Sequence, residues 1–472
     1  MACRLRKSSW LQPLPFAFQV APFLFSRLLF FVASIIVQAA NASRNEDVMS
    51  LYLRDVTFLD WRESKLISKN IVLDEGPLGG RRFTSEAPGA GDEVIDCRGK
   101  LAIEGLTCGH HHIYSALARG MPAPPRPPKD FQEILELIWW RLDKCLDTDM
   151  VRASALAAAL DCLRCGVTRI VDHHASPNAI EGSLSTMAEA IEEVGLTHVL
   201  CLELSDRDGP ERAAAGLAET DSYLSSGRPG MVGLHASFTV GDELLSRAVD
   251  LARKHQVGLH VHVAEGKVDQ ERCMLEHGKR VVERFADTGA LEQAGSILVH
   301  CLHLSEDERE LVRRAPVWVA HNPESNQKNA VGTFRWAGLD PERVIIGTDG
   351  MHSDVIRSAR AAFLVGKAAG GLDPSLPWNG IWNSQRLLER HHPEAVRKND
   401  LVLLDYDPPT PLVAENAVGH AMFGLDSRHV HAVIAAGRIV MQDGRVLGID
   451  EADTMRYCRE QAERLWSALA KT

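Results

Sequence analysis

Eight short apolar segments alternate with helical patterns along the middle of this chain, and this alternation limits its fold more than any other feature. The segments are Leu101–Thr107, Val167–Asp172, Thr197–Glu203, Met231–Ala236, Val257–Val263, Ser296–Cys301, Val317–Ala320 and Arg343–Thr348. Between them, Asp149–Arg164 is rich in alanine and leucine, and Asp242–His255 begins with acidic and ends with basic residues, as helices do. The pattern predicts an α/β fold, a (β/α)8 TIM-type barrel of parallel strands.

Strand-like segments at both ends of the chain indicate a second, smaller domain. They are Leu51–Asp60, Asn70–Asp74, Glu93–Lys100, Asp400–Asp407 and His431–Gly444, separated by turn residues. We expect residues 49–103 and 400–448 to form a small β-sandwich domain together. The barrel would then span residues 104–398, and residues 449–472 would form a C-terminal helix.

The first 48 residues differ from the rest of the chain. Basic residues precede the apolar stretch Leu28–Val37, which the small-residue triplet Ala40-Asn41-Ala42 follows, an arrangement typical of a secretory signal peptide. Alternatively, the segment is an extension of a protein whose functional part begins near Met49. We favour the extension and a cytoplasmic protein, because ten irregularly spaced cysteines, several of them in apolar segments, fit a reducing compartment. Export is the alternative if the signal-like segment is real.

The charge pattern and the length of the apolar stretch each argue against one class of partner. The net charge of −11 is spread along the chain without a block of lysine and arginine, so we expect no nucleic-acid partner. The apolar stretch Leu28–Val37 is too short to span a bilayer comfortably, so we expect no membrane partner. A small-molecule partner fits this composition better.

Histidine and acidic residues stand at the C-terminal ends of four predicted strands. They are His110 and His112 after strand one, His262 and Glu265 after strand five, His300 after strand six and Asp349 after strand eight. Alternate side chains of a strand point the same way, so His110 and His112 can bind one metal ion while His111 faces elsewhere. The βα loops converge at this end of a barrel. The set therefore predicts one divalent metal ion with an open coordination position.

Five motifs in these regions resemble those of a known family. They are Glu104-Gly-Leu-Thr-Cys-Gly-His-His-His, His262-Val-Ala-Glu265, His300-Cys-Leu-His, His321-Asn-Pro-Glu-Ser-Asn and Gly347-Thr-Asp-Gly. Through them, the sequence from Met49 to about Gly444 resembles the amidohydrolase superfamily, in its mononuclear, nucleobase-deaminase-like branch. The resemblance implies a metal site of His110, His112, His262 and Asp349, with Glu265, His300 and Asp349 as catalytic residues. It leaves the metal open between zinc, which we favour, and iron.

A closer resemblance is to the SsnA-type aminohydrolases, a group associated with purine metabolism. The residues that carry it are Leu137–Asp143, Asp172–Asn178, Ser205–Gly209, Gly233–Val240, Asn322–Asn326 and Asp405–Leu412. The sequence departs from the family in two places. Glu104 stands where relatives usually have proline, and the connection from His391 to Asp400 lacks a segment that usually contributes to the small β domain. We therefore expect that domain to be one strand short.

Three further residues are candidates for binding substrate. His235 matches a family residue that contacts polar atoms of the substrate, and either His173 or His174 can line the pocket, of which we choose His174. Trp139 is typical of helix packing, yet it can also cover a flat heterocycle. The segment Asp206-Arg207-Asp208 is either a salt-linked loop or an anion contact.

Taken together, these features predict a metal-dependent aminohydrolase. We expect it to hydrolyse a carbon–nitrogen bond other than a peptide bond and to remove an amino group from a small heterocycle such as a purine or pterin. One alternative is a hydrolytic dechlorinase or ring amidohydrolase on the same scaffold. The other is a non-catalytic barrel that binds a ligand. By resemblance, a homodimer is expected.

Overall fold

The structure, a computed structural model, describes residues 50–472, and the signal-like segment 1–48 lies outside the described residues. Residues 50–472 contain seventeen strands, which form two sheets. Strands β1 to β5 are Ser50–Asp60, Lys65–Asp74, Arg81–Thr84, Glu93–Asp96 and Leu101–Glu104. Strands β6 to β13 are Leu106–His111, Val167–His174, Thr197–Leu204, Val232–Ala236, Leu259–Val263, Ile297–His300, Trp318–His321 and Val344–Ile346. Strands β14 to β17 are Leu401–Leu404, Val430–Ala435, Arg438–Gln442 and Arg445–Val446.

Strands β6 to β13 are arranged in chain order in an eight-stranded parallel sheet, which confirms the predicted barrel. The first and last strands meet where the amides of Thr348 and Asp349 donate to the His110 carbonyl at 3.0 and 3.1 Å. Gly347 permits this approach, because a Cβ there would lie 2.2 Å from Asn322 Oδ1 and 2.9 Å from the His110 carbonyl oxygen. Closure of the barrel thus places His110 beside Asp349.

Helices connect the strands and surround the barrel. The α-helices before strand β10 are Phe131–Ile134, Trp140–Cys145, Thr148–Arg164, Ser183–Glu193, Pro210–Ser225 and Asp242–His255, with a π-helical turn at Leu135–Trp139. Those after it are Lys267–His277, Val281–Asp287, Glu306–Arg314, Pro323–Lys328, Val355–Gly370, Ser375–His391, Ala417–Phe423 and Glu451–Leu469. No helix among residues 50–472 combines the length and the apolar character that crossing a membrane requires.

The segment Leu101–Thr107, predicted as one barrel strand, is divided at Gly105. The half before Gly105 pairs antiparallel with β14, whereas the half after it pairs with β7 in the barrel. The Gly105 amide donates to the Asp400 carbonyl at 3.1 Å, and the Leu106 amide to the Gly166 carbonyl at 3.0 Å. Hydropathy did not reveal this change of partner because both halves are buried.

The other nine strands form a second sheet from both ends of the described chain. Alternate residues of its strands, among them Leu53, Ile71, Leu73 and Leu401, are fully buried in a core of their own, so the sheet curves over this core as in a small β-sandwich. Strand β14 lies between β5 and β15. The sheet therefore has no gap at β14, although the connection from His391 to Asp400 that precedes this strand is short.

Candidate metal centre

Among the described residues, two overlapping groups of side chains at the C-terminal ends of the barrel strands could hold a metal ion, and all their members are buried except the half-buried Asp349. The first group is His110, His112 and His262, and the second is His110, His300 and Asp349. Within each group the ligand atoms lie within 4.8 Å of one another. The barrel thus brings together the four residues that the resemblance implied as metal ligands, with His300 next to them.

His112 and His262 show why these residues suit a cation. The carbonyl of His173 accepts the Nδ1 proton of His112 at 2.7 Å, and the carbonyl of His235 accepts that of His262 at 2.9 Å. These bonds leave unprotonated Nε2 atoms, which face each other at 3.1 Å. Two lone pairs at this distance repel each other unless a cation lies between them, so the pair fits a divalent metal ion.

His110 is the third histidine of this group. Its Nδ1 lies 2.8 Å from His260 Nε2, and its own Nε2 is buried without a hydrogen-bond partner among the described residues. Hydrogen bonds of this kind from behind a metal ligand fix the ring and its tautomer. His260, which shares a strand face with His262, therefore supports His110.

Burial favours the neutral form of His110 and His262. It lowers the pKa of His110 and His262 well below the ordinary value, and the neighbouring imidazoles lower it further. Metal ligation requires unprotonated imidazole nitrogen. The site is therefore ready to bind a cation at neutral pH without first losing protons.

His300 stands between this cluster and two carboxylates. Its Nδ1 donates to Asn326 Oδ1 at 2.7 Å, and its Nε2 lies 3.3 Å from Glu265 Oε2 and 3.6 Å from Asp349 Oδ2. Both His300 and Asp349 have left-handed backbone conformations, with φ of 69° and 55°. Such conformations are uncommon for residues other than glycine and cluster at functional sites.

The two carboxylates differ in protonation. Burial raises the pKa of Glu265 well above its usual range, and the charge of Asp349 raises it further. Burial also acts on Asp349, but His112 and His300 outweigh it and lower the pKa of that carboxyl. The centre therefore pairs a neutral acid, Glu265, with an ionised carboxylate, Asp349, as acid–base chemistry requires.

A pocket opens directly above these residues. Its walls include Phe131, Trp139, Trp140 and His235 together with Glu265, His300 and Asp349. The structure therefore places the predicted residues Trp139 and His235 at the pocket. His235 Nδ1 lies 2.6 Å from Thr239 Oγ1, which orients the ring.

His174, the third predicted substrate contact, does not line this pocket. It is fully buried, and its Nε2 lies 2.8 Å from Ser176 Oγ. Its neighbour His173 lies instead against the ligand rings, with its ring centre 4.7 Å from that of His262. Adjacent residues of a strand face opposite ways, so only one of the two histidines could face the barrel interior, and it is His173.

Several pocket residues were not predicted from the sequence, among them two charged residues and one amide. Glu203 lies near the end of β8, and Lys328 and Asn329 lie at the end of the helix Pro323–Lys328. Asn329 Nδ2 donates to Glu265 Oε1 at 3.4 Å, and Lys328 Nζ lies 5.3 Å from the centre of the Trp139 ring. Glu203 could have been predicted from the sequence, because it stands at the C-terminal end of a predicted strand.

The contacts of Arg207 favour a salt-linked loop over an anion contact for the segment Asp206-Arg207-Asp208. Its guanidinium forms an ion pair with Asp143, and it lies 3.2 Å from Glu203 and 3.1 Å from Asp208. It also lies over the ring of Trp140, 5.3 Å from its centre. This cluster of charged side chains holds Trp140 at the wall of the pocket.

A parallel barrel with a buried histidine and aspartate cluster at its C-terminal face defines a hydrolase whose chemistry takes place at the strand ends. Comparison with known proteins identifies the family. The model of the amidohydrolase family matches residues 102–376. The chain therefore belongs to the amidohydrolase family, and it is a hydrolase of carbon–nitrogen bonds other than peptide bonds.

Individual relatives agree with this assignment. The chain is 30% identical over 444 residues to the 5-methylthioadenosine/S-adenosylhomocysteine deaminase of Desulforudis audaxviator, covering 89% of this chain and 98% of the relative. It is 29% identical over 400 residues to the 5'-deoxyadenosine deaminase of Methanocaldococcus jannaschii, covering 79% and 91%. The fold matches an adenosine deaminase from Xanthomonas campestris with bound zinc, with a TM-score of 0.73, 18% identity and coverage of 89% and 98%. These findings confirm the predicted enzyme class over the non-catalytic alternative.

Proposed function

We propose that this protein is a metal-dependent deaminase that hydrolyses the amino group from a purine ring, carried by a nucleoside. The observation that carries the proposal is the position of Glu265, a buried neutral acid 3.3 Å from His300 at the base of an aromatic pocket. The relatives named as deaminases of adenosine derivatives support this choice of ring.

In this proposal, His110, His112, His262 and Asp349 hold one divalent ion. The donor set of three imidazoles and a carboxylate suits zinc and iron alike, and the zinc in the similar adenosine deaminase structure supports zinc. When bound at such a site, the ion brings the pKa of water close to neutrality. The chain's own residues then have to position the ring and move protons.

Three side chains are suited to those proton movements. Asp349, ionised in this setting, accepts the proton of the attacking water. His300, held by Asn326, stabilises the charge that develops at the ring carbon. Glu265 donates its proton to the ring nitrogen, takes up the proton of the hydroxyl group added at the ring carbon and passes it to the departing amine, and the proton held by Asp349 then restores Glu265. A raised pKa is what this last role requires, because the acid must be protonated at neutral pH.

The pocket accounts for the binding of a flat heterocycle. Phe131, Trp139 and Trp140 provide apolar ring surfaces, against which a purine can pack. His235, Glu203 and Arg207 line the pocket as polar side chains and would contact the ring substituents or the sugar. The position of Trp139 and His235 in the pocket wall supports both as substrate-binding residues.

The test is an ammonia-release assay with purified, zinc-loaded protein. Adenosine, 5'-methylthioadenosine, guanine and pterin are offered in turn, and the products are identified by mass spectrometry. We expect ammonia from an adenine nucleoside, and a fall in kcat of about 10²- to 10⁴-fold in Glu265→Gln. The matched control is Glu271→Gln, an exposed position on the following helix.

The outcomes separate the proposal from its alternatives. Zinc content and melting temperature should be unchanged in Glu265→Gln, so that a loss of activity reports on proton transfer. Turnover by Glu265→Gln at the normal rate would contradict the proposed role of Glu265. Release of chloride from a chlorinated ring, without ammonia from any amino-substituted ring, would replace deamination by dechlorination.

A further inference from the structure

A second cavity lies at the opposite end of the barrel from the metal centre. It has a volume of about 580 Å³ and lies between the second sheet and the N-terminal ends of the barrel strands. Its position follows from its walls, which include Glu104 before β6 and Arg169 near the start of β7. A cavity of this size is in the range of small-molecule sites, about 300 to 1,000 Å³.

The walls of this cavity carry more positive than negative charge. The cationic side chains are Arg62, Arg81, Arg169, Arg397 and Lys398, and the carboxylates are Glu104, Glu389 and Asp400. Five cations against three carboxylates leave a formal excess of two positive charges. A cavity with such an excess attracts anions.

Two of the carboxylates are already committed to two of the arginines. Glu104 lies 2.7 Å from Arg81 and 3.2 Å from Arg62, and Glu389 accepts from Arg62 at 2.9 Å. Glu104 also accepts hydrogen bonds from Trp61 Nε1 at 2.9 Å and Gln385 Nε2 at 2.7 Å. Glu104, which stands where relatives usually have proline, thus accepts hydrogen bonds from four side chains at one wall of the cavity.

Arg169 is a buried arginine of this cavity, on which the charges of Asp400 and Glu104 act without a direct ion pair among the described residues. Its side chain is almost fully buried, with 1% of the residue exposed, and its Nη1 donates to the Gly105 carbonyl at 2.9 Å. Its Nε has no hydrogen-bond partner among residues 50–472, and neither has Oδ2 of Asp400. A buried charge without a partner is costly, and burial lowers the pKa of Arg169 for this reason.

Two further cations stand at the same wall. Arg397 donates through Nη1 to the Gly195 carbonyl at 2.8 Å, and its charge acts on the same carboxylate, Asp400, as that of Arg169. Lys398 follows it on the exposed connection to β14. Together with Arg169, they supply two kinds of donor that bind phosphate groups, the planar guanidinium of arginine and the ammonium group of lysine.

We propose that this cavity binds a small molecule carrying a phosphoryl group, with its oxyanion held by Arg169, Arg397 and Lys398. The phosphoryl oxygens supply acceptors for the Arg169 donors and neutralise the excess charge. The remaining volume accommodates the organic part of the ligand. The site lies outside the catalytic pocket, so it would act as a separate binding site of the enzyme.

The test uses isothermal titration calorimetry on the full, zinc-loaded protein at constant ionic strength set with sodium chloride. Inorganic phosphate and glycerol 3-phosphate are titrated separately. We expect saturable binding of one equivalent and a loss of affinity of about tenfold or more in Arg397→Gln/Lys398→Gln. The control variant Arg98→Gln, whose side chain is 74% exposed at the surface, should bind as the unmodified protein does.

A second comparison excludes binding at the metal centre. If phosphate binds in the second cavity, His112→Ala retains it; loss of binding in His112→Ala would overturn the proposal. Equal affinity in Arg397→Gln/Lys398→Gln and in the unmodified protein would also overturn it, as would no binding of either probe. Tighter binding of glycerol 3-phosphate than of inorganic phosphate would identify an organic phosphate as the ligand class, and the reverse would identify free phosphate.

Discussion

The Nε2 atoms of His112 and His262 lie 3.1 Å apart, although each ring donates its Nδ1 proton to a backbone carbonyl. The carbonyls belong to His173 on β7 and His235 at the end of β9. Neighbouring strands therefore fix both tautomers, and the lone pairs face each other before any ion arrives. This preorganisation is the reason we expect metal binding and stability to be linked.

Removal of the metal should destabilise the protein. A chelator leaves the two lone pairs in contact, so we expect a lower melting temperature that added zinc restores. His112→Ala should lose stoichiometric zinc and deaminase activity together, as elemental analysis and ammonia release would show. His303→Asn serves as the control, because His303 bonds to the Val331 carbonyl at 2.7 Å in a loop. Full zinc content in His112→Ala would contradict the ligand assignment.

The bond from His300 to Asn326 should matter for catalysis more than for metal binding. Asn326→Leu removes the acceptor that orients the His300 ring, so we expect kcat to fall by about 10- to 100-fold with zinc retained. Asn326→Asp keeps an acceptor and adds negative charge, which should restore much of the rate and move the acidic limb of the pH profile upward. The same loss of rate in both variants, without a change of pH profile, would indicate a purely structural role.

Trp139 should contribute to substrate binding. Its ring lines the pocket, and aromatic pairs contribute about 0.5–1.5 kcal/mol beyond burial. We therefore expect Trp139→Ala to raise KM by about 2- to 13-fold with a smaller change in kcat, whereas Trp139→Phe should stay close to the unmodified enzyme. Initial rates against substrate concentration measure both parameters. An unchanged KM in Trp139→Ala would assign this residue to helix packing.

Glu104 should make stability depend on pH under acidic conditions. Burial alone would raise its pKa, but Arg81 and Arg62 outweigh burial and lower it from 4.5 to about 2. Because the folded-state pKa is depressed, the stabilisation is complete above about pH 4.5 and is lost as the pH falls toward 2. The corresponding free energy is on the order of 3 kcal/mol.

Urea unfolding of Glu104→Gln and of the unmodified protein measures this effect. The difference in unfolding free energy should be largest near neutral pH and should shrink between pH 4.5 and 2, the range set by the pKa of Glu104. Glu86→Gln, at an exposed position, is the control and should show no such difference. A difference independent of pH would mean that the ionised carboxylate is not what stabilises this region.

The sequence alone determined the barrel, the order of its strands and the positions of the candidate metal ligands. The hydrophobic periodicity of strands and helices can be recognised in consecutive residues. His110-x-His112 and His262-x-x-Glu265 are likewise local patterns, at the ends of strands. A parallel barrel then brings these ends together whatever the details of its loops. For this reason the candidate ligand atoms of each group lie within 4.8 Å of one another in the structure.

Only the tertiary structure decided which neighbours these residues have. The change of partner sheet at Gly105, the choice of His173 over His174 and the partners of Glu104 depend on contacts between distant segments. His112 and His262 are 150 positions apart, and Gln385 and Glu104 are 281 apart. Such contacts depend on how the strands close and how the second sheet packs below them, and no local period of the sequence encodes that packing.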